Sequence, residues 1–79
     1  MQFSREVIAL LKRERLAQDL SQERLAEAAG VSRTAITMIE SGERNPTLFV
    51  CHALARALDL PLSQLVAAAE KKQRSSRKR

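Results

Sequence analysis

Between Ser4 and Gln18 the apolar residues Val7, Ile8, Leu11 and Leu16 recur at intervals that place most of them on one face of a helix. Arg5, Glu6, Lys12 and Arg13 line the other face. The spacing predicts a first helix there, capped by Ser4 and stapled by Phe3 against Ile8. Three later starts use the same chemistry. Leu20-Ser21 precedes Gln22, Val31-Ser32 precedes Arg33 and Pro46-Thr47 precedes Leu48. Each sets a hydroxyl where it can accept a bond from the unpaired amides of a new first turn. Leu20 with Leu25, and Val31 with Ile36, have the spacing of two further staples. Gly30 and Gly42 stand where a left-handed residue ends a helix, a conformation glycine adopts without a Cβ clash. Helices over about 22–29, 33–41 and 48–58 follow. The inner face of the last of these is formed by Leu48, Cys51, Leu54, Ala55 and Leu58, which turns Phe49 outward. A fifth helix opens near Leu62, with Pro61 at its mouth, and runs to about Ala69 with Leu65 and Val66 inward.

Composition supports an all-α chain. Apolar residues make up 44% of the sequence but aromatics only 3%, so the interior must be built from Leu, Ile, Val and Ala. Two Gly and two Pro leave little punctuation for hairpins, and β-branched residues nowhere alternate over the length of a strand. With 79 residues the chain can enclose one core. A single domain over residues 1–69 is expected, with a basic, disordered tail over 70–79.

Charge is informative only through its location. The formal net charge is +5, and residues 70–79 alone contain six Lys and Arg against Glu70, which is 6 − 1 = +5. The other 69 residues sum to zero, so a nucleic-acid face in the globular part has to come from placement rather than bulk charge. One cysteine, Cys51, rules out an internal disulfide framework and a multi-thiolate zinc site. The opening residues lack the pattern of a secretory leader, and the longest apolar stretch, Leu65 to Ala69, is far short of a membrane span. A cytoplasmic protein without membrane association is expected.

The informative unit is LSQERLAEAAGVSRTAITMIESGERNP, residues 20–46. It sets an eight-residue helix, a turn through Gly30 and Val31, and a second helix, with small Ala26 and Ala29 where the two must cross closely. That is the form of a helix-turn-helix, in which the second helix lays its first turn on base edges. The motifs L-S-Q-x-x-L-A-x-x-A-G-V-S and I-x-x-I-E-x-G-x-R-x-P resemble the phage-repressor and Cro-like helix-turn-helix domains, the XRE class, over about Arg5 to Val66. S-R-T, I-E and the Arg44-Asn45 pair resemble most the small controller proteins of restriction-modification systems. The resemblance implies a five-helix, repressor-like DNA-binding fold.

It also implies roles for individual residues. Gln22 matches a glutamine that clamps a DNA phosphate, beside helix amides pointing the same way. Arg33 and Thr34 match base-reading positions, Thr37 and Met38 match positions facing the groove one turn on, and Arg44 matches a position reaching a phosphate or base edge. Ser32 and Asn45 flank these and join the phosphate or base contacts. The side chains suit the work: arginine donates two parallel bonds to guanine N7 and O6, and threonine offers a hydroxyl and a methyl. Arg33 also sits at a helix start, where a cation opposes the macrodipole. Taken singly, each of these is more often a solvated surface residue; their joint spacing favours the DNA-facing reading.

Arg15 and Glu40 match positions that form a largely buried ion pair in the phage-repressor branch, which gives them a structural role, the rival being two ordinary surface charges. Phe49 and Val50, with Leu62 and Val66 of helix five, are expected to form a two-fold dimer contact; a satellite core beneath Phe3 is the rival. Cys51 reads as a small core hydrophobe and His52 as a surface residue. No glycine-rich phosphate loop or paired-ligand spacing is present, so neither catalysis nor a metal or cofactor is expected.

A domain of this size covers only about four to six base pairs, so a homodimer on a palindromic operator in double-stranded DNA is expected. Glu23, Glu27 and Glu43 could face RNA polymerase. An antitoxin or other protein-interaction module is the alternative from a different class, and RNA binding through the basic tail is a third.

Overall fold

The structure, a computed structural model, describes the backbone of residues 3–77 and the side chains of residues 5–70. Five helices follow one another: α1 (Phe3–Ala17), α2 (Gln22–Ala29), α3 (Arg33–Ser41), α4 (Leu48–Ala57) and α5 (Leu62–Arg77). Among the described residues there is no strand. Capping by Ser4 and the Phe3 staple fall on side chains outside the described residues.

The three other caps form as their chemistry dictates. Ser21 accepts from the Arg24 amide at 3.0 Å, Ser32 from the Ala35 amide at 3.0 Å and Thr47 from the Val50 amide at 3.1 Å. Gly30 and Gly42 end α2 and α3 in the left-handed region, at φ +75° and +87°. The other two internal helix ends use a different residue: Asp19 and Asp59 adopt φ 60° and 61° after α1 and α4. Aspartate tolerates that region better than most side chains.

α1 packs along α5, α2 packs against both α3 and α4, and α1 also touches α3. The core is aliphatic, with Leu25, Ile36 and Leu58 at its centre and Val7, Leu10 and Leu11 contributed by α1. Leu20 and Val31, the staple residues, pack against it from the turns.

Four expectations about facing are corrected. Leu16 is more than half exposed, because nine residues separate it from Val7, about half a turn around the axis. The buried stripe of α1 is instead Val7, Leu10, Leu11 and, one turn on, Arg15. Leu48 is 78% exposed; it shares an azimuth with buried Ala55 but lies about 10 Å nearer the helix start, where nothing covers it. Val50, expected at a dimer contact, is half-buried against the chain's own core, one turn before buried Leu54. Val66 is exposed rather than inward, α5 presenting Leu65 and Ala69 to the core.

The backbone of α5 continues eight residues past the expected end at Ala69. Lys, Gln and Arg are good helix formers, and cations near a helix carboxyl end complement the macrodipole. The side chains of residues 71–79 lie outside the described residues. No described helix is long and apolar enough to cross a membrane.

Candidate nucleic-acid interface

α2 and α3 are joined by a turn whose hydrogen bonds leave little freedom. The Val31 amide donates to the Ala26 carbonyl at 3.0 Å and the Gly30 amide to Glu27 at 3.3 Å, closing α2 while Ser32 opens α3. Buried Ala26 and half-buried Ala29 let the two helices cross closely. Ile36 and Ile39 bury one side of α3, which leaves Arg33, Thr34 and Thr37 exposed on the other and Met38 half-buried at its edge. Ser32 spends an oxygen lone pair on its cap, so its proton remains available outward. The Arg33 and Thr34 amides, in the first turn of α3, have no partner within the helix and suit an anion.

What holds α3 to the scaffold is polar. Arg15 Nε donates to Glu40 Oε2 at 2.7 Å and Nη2 donates to Oε1 at 3.0 Å, a two-bond pair whose side chains are 9% and 7% exposed. Nη1 of Arg15 donates to the Leu20 carbonyl at 2.6 Å, tying the same guanidinium to the turn before α2. Burial pushes the Glu40 carboxyl up, but hydrogen bonds from Arg15 and Gln22 and the charges of Arg15 and Lys12 outweigh it. The net value lies below the ordinary one.

The ion pair extends to the surface. Gln22 Nε2 donates to Glu40 Oε1 at 3.0 Å, and Thr37 Oγ1 lies 2.8 Å from Gln22 Oε1 and 3.1 Å from the Arg33 carbonyl. Gln22, read from sequence as a phosphate clamp, is therefore also a link inside the protein, with one amide N–H and one oxygen lone pair left over. No sequence spacing signals this link, because residues 18 positions apart on separate helices meet only after folding.

Arg44 and Asn45 are exposed in the loop after α3. The Glu43 and Arg44 amides both donate to the Met38 carbonyl, at 2.9 and 3.1 Å, which fixes how the loop leaves the helix. Asn45 lines a groove between α1 and the end of α3, together with Arg5 and Lys12, two cations that the sequence places on the polar face of α1 without a role at the interface. Gln18 is a further unforeseen residue: its amide donates to the Leu58 carbonyl at 2.7 Å and ties the turn after α1 to the turn after α4.

Phe49 is 79% exposed, beside a groove lined by Ala28, Ala29, His52 and Ala53, and takes no part in a core of this chain. His52 is exposed. Cys51 is half-buried against the core, where burial raises its thiol above the ordinary value. Among the described residues no group of His, Cys, Asp or Glu is arranged to hold a metal ion.

Residues 11–65 match the helix-turn-helix family. The chain belongs to that family, in its XRE class. This helix-turn-helix protein is 43% identical over 49 residues to an uncharacterized HTH-type transcriptional regulator of Methanothermobacter thermautotrophicus, covering 62% of the chain and 71% of the relative. It is 46% identical over 48 residues to the control protein C.SmaI of Serratia marcescens, covering 61% of the chain and 57% of that protein. Two crystal structures of the restriction-modification controller protein C.Esp1396I, a point mutant and the wild type, superpose with TM-scores of 0.80 and 0.78. Both are 27% identical; the first covers 95% of this chain and 96% of that one, the second 90% of each. The all-α, five-helix architecture is thus that of a controller protein, and the chain is a helix-turn-helix transcriptional regulator of a DNA-binding, non-enzymatic family.

Proposed function

We propose that this regulator binds a palindromic operator as a homodimer in the cytoplasm, each subunit laying the first turns of α3 in a major groove. Half-sites would lie near one helical turn, about 34 Å, apart. Arg33, Thr34 and Thr37 read base edges with Met38 at the margin of the contact, while Gln22, Ser32, Arg44 and Asn45 engage the backbone or adjoining bases. The observation that carries this reading is the exposed opening turn of α3, braced by the buried Arg15–Glu40 pair. A rigid support is what base readout requires, because hydrogen-bond discrimination fails when donors wander.

Exposed Phe49, with Leu62 and Val66, provides apolar surface for the two-fold contact; Val50 adds only its uncovered edge. The kinship with C.SmaI and C.Esp1396I favours control of a restriction-modification system. Glu23 and Glu27 are exposed on α2, and Glu43 after α3, where they could meet polymerase.

Selection of bound sequences from a random DNA pool, repeated with Arg33→Ala, tests the reading. The variant should lose preference at one base position of each half-site; uniform weakening at every position would overturn Arg33 as a base reader. The exposed Leu48 and Phe49 also suit a protein partner, as in an antitoxin. Operator binding that appears only when a second protein is added would favour that reading.

A further inference from the structure

We infer that Thr37 meets the major groove only as a hydrogen-bond acceptor, and so selects a base pair for its exocyclic amino group, adenine N6 or cytosine N4. The inference rests on the reading of α3 as the recognition helix and adds the polarity of one contact to it.

The guanidinium of Arg15 can only donate. It faces both oxygens of Glu40, held ionised by that partner, and an ionised carboxylate can only accept. The atom of Gln22 that lies 3.0 Å from Glu40 Oε1 must therefore be the amide nitrogen. The reverse orientation would set two oxygens against each other. With the nitrogen committed to Glu40, the carbonyl oxygen of Gln22 is left facing Thr37, at 2.8 Å.

Thr37 has one proton. Its two neighbours within reach, Gln22 Oε1 and the Arg33 carbonyl at 3.1 Å, are both acceptors, so the proton lies between them whichever it favours. What the exposed hydroxyl has left is lone-pair density.

An unconstrained threonine can donate to a base or accept from one. Here that choice is removed by a charge buried on α1 and relayed through two side chains. The donors on major-groove base edges are the amino groups of adenine and cytosine; guanine O6 and N7 and thymine O4 would face Thr37 oxygen to lone pair. Arg33, one turn earlier on the same face, has the opposite polarity, since it can only donate. The pair would read complementary features of neighbouring base pairs.

Base-pair preference alone cannot test polarity, because every adenine amino group travels with a thymine oxygen. The experiment uses the full chain, first selecting a site with wild type, Thr37→Val and Thr37→Ser. The position whose preference changes in Thr37→Val is then rebuilt with a base analogue lacking the amino group, purine for adenine or 4-deaminated pyrimidinone for cytosine. Wild type and Thr37→Ser should each lose about fivefold in affinity on the analogue, and Thr37→Val should lose none, which also controls for the weakened base pair. Equal binding of parent and analogue by wild type overturns the inference, as does an equal loss in Thr37→Val or the absence of any Thr37-dependent position. Those results leave Arg33 and the DNA-binding reading standing. A wild-type chain that selects no sequence overturns both.

Discussion

Arg15 occupies a place where the stripe of α1 calls for an aliphatic side chain, and it is buried there with Glu40 as partner. A pair of this kind adds little net stability, yet deleting one member strands the other charge in a site with almost no water. Arg15→Leu should destabilise the fold by about 3–5 kcal/mol in urea unfolding, with a smaller loss when Glu40 is replaced by an apolar residue as well. The same carboxyl sets an acid limit. Because the Glu40 value is lowered on folding, the unfolded chain takes up the proton first as pH falls below the ordinary value near 4.5. Stability from this group is complete above that pH and drains away as pH drops through the lowered native value. Glu40→Gln should flatten that part of a stability profile measured by thermal unfolding between about pH 2 and 6.

The helices are delimited by local chemistry that largely acts within four residues of each end. Hydroxyl caps at Ser21, Ser32 and Thr47 and left-handed glycines at 30 and 42 are legible in the sequence because each works through its own backbone. Asp19 and Asp59 close the other two helices in the same conformation, but aspartate is common in so many settings that it carries no comparable signal. A Cβ added at Gly42 would meet nothing within 4 Å, so Gly42→Ala reports backbone strain alone. It should cost about 1–2 kcal/mol by thermal melting. Which residues face inward was less legible. Periodicity gives an angle around the axis, and Leu48 has the angle of a core residue; its exposure comes from its axial position, beyond the reach of the neighbouring helices.

At the scale of the molecule the unresolved demand is coverage of apolar surface. Phe49 lies on the outer face of α4, and burying such a ring against a two-fold mate would contribute about 1.5–3 kcal/mol per subunit. Phe49→Glu should leave the helical fold of the subunit intact by circular dichroism, since the side chain touches no core, and lower the melting temperature only by the lost coupling to the mate. It should sediment as a monomer and lose most of its operator affinity. A dimer persisting in sedimentation velocity would move the contact elsewhere.

Five helical segments, the turn between α2 and α3 and an aliphatic core were legible before folding, because each is written in spacings of a few residues; the candidate readers on α3 came from the resemblance of the surrounding motifs to a known family. Folding decided what those readers can do. The link from Arg15 through Glu40 and Gln22 to Thr37 joins three helices across separations of up to 25 positions. No local pattern records such a link, since its hydrogen bonds exist only once independent segments have been packed side by side.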